Sequence, residues 1–179
     1  MASFLLRNEA ICLHSDVEII FNLSLSLLVS VLNSYATSYN DGEYEYTLSS
    51  VGRGVNGSLL IRIKCVVATP NEAVSYASKC AVHGLVFKGA KSENNSPDET
   101  PLVEDKELSA KEVKWFDNMF QSDAYSQYIV SVSQSNIKIV KIKKRYSVDV
   151  TIAVNKSKLR KALESEGIIK RLGSVFENK

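Results

Sequence analysis

Apolar and polar positions alternate along the first part of the chain. Between Val17 and Tyr39, ten of the twelve odd positions are apolar or aromatic, against four of the eleven even ones. A period of two puts one set on each face of an extended strand. The Asn40-Asp41-Gly42 that follows suits the left-handed angles of a tight hairpin turn. The stretch therefore reads as a half-buried strand, long enough to call for a bend, a bulge or a split. A helix is the competing reading, because Glu18, Asn22, Ser26, Ser30 and Asn33 also fall on one helical stripe. Against it, Ser24 breaks the apolar stripe opposite, and serine and β-branched residues lower helix propensity.

The same rhythm recurs downstream. Residues 3–14 read as a first strand. Tyr44, Tyr46 and Leu48 alternate with Glu43, Glu45 and Thr47, and Ile61, Ile63 and Cys65 stand opposite Arg62 and Lys64. Four strands joined by short turns make an antiparallel meander. Thr69-Pro70-Asn71-Glu72 then predicts a capped helix start, with Ala73, Val74, Ala77, Cys80 and Ala81 on its apolar face, Gly84 as its stop and Leu85–Phe87 as a short strand. Ser109-Ala110-Lys111-Glu112 is a second capping box, opening a helix that turns Val113, Phe116, Met119 and Phe120 inward. Trp115 reads as its partly buried anchor. Tyr128–Ser133 is β-prone, Gln134-Ser135-Asn136 is a turn, and Ile137–Val154 is strand-like throughout, its parity broken only at Lys144. Asn155 leads into a closing helix with Leu159, Ala162 and Leu163 inward.

The expected fold is α+β: a mainly antiparallel sheet, with an N-terminal meander, long C-terminal strands and about three helices. If Val17–Tyr39 is helical, residues 1–87 instead take the ferredoxin-like βαββαβ order. Residues 1–87 form a sheet-plus-helix segment and 109–179 a basic helix-strand-strand-helix segment of the same domain. Between them, 88–108 is an acidic, proline-containing loop or linker.

Composition changes this picture little. With 179 residues, 45% apolar and 23% charged, the chain can bury a core without staples. The odd cysteine count (Cys12, Cys65, Cys80) favours free thiols in a reducing compartment, and the cytoplasm is the expected location. MASFLLRNE lacks the apolar core of a signal peptide, and the Val17–Leu32 run is too short and too interrupted to span a membrane.

Charge is more informative. Residues 1–110 carry a net −5 and residues 111–179 a net +7. The basic positions gather at Lys138, Lys141, Lys143, Lys144 and Arg145, then at Lys156, Lys158, Arg160 and Lys161. Such a strand and helix could meet phosphates, so nucleic acid is one expected partner. Tyr146 adjoins the first run, but lysine outnumbers arginine sixteen to six and no RNP-type aromatic signature is present, so base-specific readout is not indicated. The bland alternative is a lysine-guarded edge strand. A third reading sets an acidic half of one subunit against a basic half of another.

Motifs for catalysis are sparse. Gly52-Arg53-Gly54-Val55-Asn56-Gly57 matches GxGxxG, but a strand follows it where a dinucleotide site needs a helix N-terminus. Cys65, Cys80 and His83, with Cys12 and His14, could supply four zinc ligands, although the paired spacing of a zinc motif is absent. No G-x-S-x-G or H-E-x-x-H is present. The favoured function is a non-catalytic protein-interaction or assembly protein acting through its sheet and polarised surfaces, with a protein partner or self-association expected and no cofactor. Nucleic-acid binding comes second, and a small enzyme or zinc site near Cys65, Cys80 and His83 third.

Overall fold

A computed structural model describes residues 44–95, 97–103 and 107–171. The Val17–Tyr39 stretch, the strand read at 3–14, the Asp41-Gly42 turn, Cys12 and His14 lie outside the described residues, as does the first half of the ferredoxin-like alternative.

The described chain runs β1 (Tyr46–Arg53), β2 (Leu59–Val67), α1 (Ala73–Phe87), β3 (Lys91–Ser92), α2 (Ala110–Gln121), β4 (Ile129–Val132), β5 (Lys138–Ile142), β6 (Arg145–Val154) and α3 (Lys156–Ser165). The expected α+β fold is present: three helices and a six-stranded sheet in the order β3-β1-β2-β6-β4, with β5 also paired to β6. Every pairing is antiparallel except β1 with β3. Among the described residues no helix is long and apolar enough to cross a membrane.

The period of two decides which face of the sheet is covered. Leu59, Ile61, Ile63, Cys65 and Val67 of β2 are buried, and they stand beside Val154, Ile152, Val150, Val148 and Tyr146 of β6 in unbroken register. Burying each such aliphatic side chain contributes roughly 1.5–3 kcal/mol. Helix α1 lies over this face on small residues, Ala73, Ala77, Cys80, Ala81 and Gly84, which let its backbone come close to the strands. Helix α2 adds Phe116, Met119 and Phe120, with the Phe116 ring edge-on to Phe87 at 4.8 Å, and α3 adds Leu159 and Leu163.

Local signals hold where they depend on neighbours in sequence. The Ser109 box forms: its hydroxyl accepts from the Glu112 amide, and the Glu112 carboxylate accepts from the Ser109 amide at 2.7 Å. Four expectations fail. Thr69 makes no side-chain cap; Pro70–Glu72 forms a 3-10 turn that runs straight into α1. Gly84 does not stop the helix, which continues to Phe87 and takes in the strand expected at Leu85–Phe87. Its lack of a side chain serves packing, since a Cβ there would overlap Leu48 Cδ1. Finally, the Ile137–Val154 strand is folded in two. The parity break at Lys144 is a hairpin turn, with Ile142 paired to Arg145.

Helix α1 ends through residues far along the chain. The amides of Lys88 and Gly89 both donate to the Gly84 carbonyl, and Gly89 takes φ 69°. The next carbonyls, Leu85 and Val86, accept from the amides of Leu102 and Val103 at 3.1 and 2.9 Å. The chain between makes a loop closed by the Ala90–Glu99 bridge, so a helix end that would otherwise need water is capped by backbone.

Gly89 is thus both left-handed and crowded by the Glu99 carbonyl and Pro101, whereas Gly57 is left-handed (φ 70°) with nothing within 4 Å. Gly57→Ala should cost about 1–2 kcal/mol, the left-handed penalty alone. Gly89→Ala should cost clearly more, and urea unfolding of the two variants measures the difference.

Candidate interaction surface

Two edges flank the sheet. One is the two-residue β3; the other is built from β4 and β5, which follow one another along the same side of β6. β4 pairs with the C-terminal end of β6 and β5 with its N-terminal end, and the 3-10 turn Gln134–Asn136 takes up the extra residues between them. Beyond that turn, β5 and β6 form a hairpin closed by Lys143-Lys144. Lys143 has φ 55°, a conformation that asparagine or glycine adopts with less strain.

All five residues of β5 are exposed, so this strand is wet on both faces. Val140 is 59% exposed, Ile142 54% and Ile139 39%. Register assigns their faces. Ile139 and Lys141 stand beside Val148 and Tyr146 on the helix-covered side, where Lys141 Nζ lies 6.0 Å from the Tyr146 ring centre. Lys138, Val140 and Ile142 stand beside Asp149, Ser147 and Arg145 on the opposite side. An open depression of about 330 Å³ adjoins that side, lined by Glu45, Thr47, Lys64, Val66 and Ser147 among others. Aliphatic side chains therefore emerge at a sheet edge flanked by five basic residues, with Asp149 and Glu45 the acidic groups beside them.

The basic positions do not form one patch. Lys138, Lys141, Lys143, Lys144 and Arg145 gather at the hairpin, where Arg145 comes within 4.0 Å of Glu45. Lys156, Lys158, Arg160 and Lys161 begin beyond the other end of β6, ten residues or roughly 30 Å away. Three of these four have internal tasks. Lys156 Nζ lies 2.7 Å from Glu99, which also meets Arg53 at 3.3 Å; Lys158 Nζ donates to the Gln127 carbonyl; Arg160 pairs with Glu164 one turn on. Lys161 is exposed. The acidic groups of 93–99 are engaged too. Glu93 binds Arg62 and the Ser49 hydroxyl, and Asp98 accepts from the Ser92 amide.

The zinc candidates that are described sit in the core. Cys80 and His83 share the inward face of α1, both fully buried, and Cys65 is buried on β2. His83 Nδ1 lies 2.6 Å from the Tyr46 hydroxyl, with the rings of Tyr44 and Phe87 at 4.6 and 5.0 Å. Spacing in sequence placed Cys80 beside His83; the aromatic box of Tyr44, Tyr46, Phe87 and Phe120 around the imidazole was not legible there. Among the described residues no group of three or more His, Cys, Asp or Glu is arranged to hold a metal ion. The GxGxxG loop joins β1 to β2 as a hairpin, Gly54 donating to the Ser58 carbonyl at 2.8 Å, with no helix start behind it. A cavity of about 400 Å³ beside α3 is lined by Thr100, Leu102, Val103, Arg160, Ile168 and Lys170 with their neighbours.

Burial pushes the Cys65 thiol up to about 11 and the Cys80 thiol up to about 12. Both are neutral in folded and unfolded chains below pH 8. As pH rises further, the unfolded chain loses these protons first while the folded chain keeps them, so stability falls with pH. The urea midpoint should drop between about pH 9 and 11, the span between the ordinary thiol range and the raised Cys65 value. Cys65→Ala with Cys80→Ala should flatten that drop. An unchanged slope would assign it to the phenols of Tyr76 and Tyr125, which burial also raises to about 12.

No family model, curated protein or solved structure matches this chain, so its surface is read from its own chemistry.

Proposed function

We propose that this is a non-catalytic interaction protein that binds another protein through the β5–β6 hairpin and the adjoining sheet face. The observation that carries the reading is the exposure of Val140 and Ile142, at 59% and 54%, on a strand that serves no core. Keeping two large aliphatic side chains in water at a sheet edge brings no gain to the isolated fold and invites aggregation. Covering them with a partner removes that liability. The surrounding lysines steer an oppositely charged partner towards the edge.

Nucleic acid is the second reading, favoured by the five cations of the hairpin. Two observations weigh against it. The exposed apolar side chains among those cations are aliphatic, and the one aromatic ring of the hairpin, Tyr146, is partly buried beside Lys141, so little stacking surface is offered to bases. The second basic cluster begins about 30 Å away and is largely engaged in pairs of its own.

A photo-crosslinking amino acid at Ile142, in the full chain within its own host, should yield a protein adduct of defined mass. The control is the same group at Val55, which is 78% exposed on the opposite hairpin. A nuclease-sensitive adduct at Ile142 would transfer the function to nucleic acid. Adducts at Val55 with none at Ile142 would remove the β5–β6 hairpin as the working surface.

A further inference from the structure

Resting on that reading, we infer the form of the partner: an extended acidic segment of a different polypeptide, added as a new strand along the outer edge of β5. Among the described residues β5 pairs on one side only, with β6. A strand laid along its other side would accept and donate the backbone hydrogen bonds that the edge offers, at the usual spacing of about 4.8 Å. Its alternate side chains would fall beside Val140 and Ile142 on one face and beside Ile139 on the other. Both faces of β5 are exposed, so neither set of side chains meets an obstruction from the strand itself.

Charge selects the occupant. Residues 138–145 hold five basic side chains and no acidic one. β5 itself carries Lys138 and Lys141, with Lys143, Lys144 and Arg145 at the adjoining turn, so two copies pairing edge to edge through β5 would crowd two such basic clusters together, and like-charge juxtaposition is costly. The same lysines that keep copies apart favour a strand with carboxylates at alternate positions. The chain's own described acidic stretch does not supply that strand, because Glu93, Asp98 and Glu99 are each held by internal partners. The occupant we infer is another protein, with carboxylates and aliphatic residues alternating along an extended segment.

Fluorescence anisotropy with the full chain tests this, using a labelled heptapeptide of alternating Glu and Val as the probe. Backbone N-methylation on one alternate set of its residues should weaken binding by about tenfold, the cost of two or three lost main-chain hydrogen bonds, and methylation on the other set should change it little. Lys141→Glu with Lys143→Glu should also weaken it by about tenfold. Both side chains are exposed, so the melting temperature checks that the variant remains folded. A Lys/Val heptapeptide should not bind. Equal binding of the two methylated peptides, or of a Glu/Ser peptide alongside the Glu/Val one, would reduce the contact to charge alone and overturn strand addition. Displacement of the probe by a short DNA duplex at low micromolar concentration would overturn it in favour of nucleic acid. If no acidic peptide binds while the Ile142 crosslink still captures a protein, strand addition falls and the interaction reading stands.

Discussion

The pairing of β2 with β6 is the interaction on which the rest of the described structure depends. Nine consecutive residue pairs, from Leu59 with Val154 to Val67 with Tyr146, run without a bulge. Because side chains alternate, a slip by one residue would turn Ile61, Ile63, Val150 and Ile152 away from the helices and bring Arg62, Lys64, Asp149 and Thr151 under them. The apolar register thus orients β1 and β3 on one side and β4 and β5 on the other. It also fixes where helix α1 can sit, since the small residues of α1 fit the surface these two strands make.

The polar face of the same strands carries a different kind of link. Arg62 on β2 reaches Asp149 on β6 at 3.2 Å and Glu93 just beyond β3 at 3.0 Å, and Glu93 also accepts from Ser49 on β1. These groups are partly exposed, so each ion pair adds little stability, on the order of 0–1 kcal/mol. Their effect is positional: they tie strands that are distant in sequence and hold the segment after β3 against the sheet edge. The loop that begins there then returns Leu102 and Val103 to cap α1. The loop beyond β3 is therefore used to finish helix α1 by backbone hydrogen bonds, while β5 at the other edge of the sheet projects as a hairpin with both faces in water.

Elements governed by near neighbours were legible from sequence. The Ser109–Glu112 box needs only four adjacent residues, and the alternation in Leu59–Val67 needs only the geometry of a strand. The errors arose where contacts span long stretches of chain. Gly84 has the look of a helix stop, and only the approach of Leu48, thirty-six positions earlier, explains why a glycine lies inside the helix. A lysine at an apolar position, Lys144, looked like a blemish in one long strand and is half of a reverse turn. Cys80 and His83 were correctly placed on one helix face, but a buried imidazole beside a tyrosine hydroxyl in an aromatic box looks the same in sequence as a metal ligand.

By itself the sequence determined the fold class, the inward face of the central strands and the basic character of the 138–145 stretch, because periodicity and charge are local properties of a chain. Tertiary structure alone decided that β5 lies at an edge with Val140 and Ile142 exposed, and that the two basic groups stand apart at opposite ends of one strand, β6. The physical reason is that exposure depends on which strands occupy the neighbouring positions, and a residue's pattern in sequence does not record its neighbours in space.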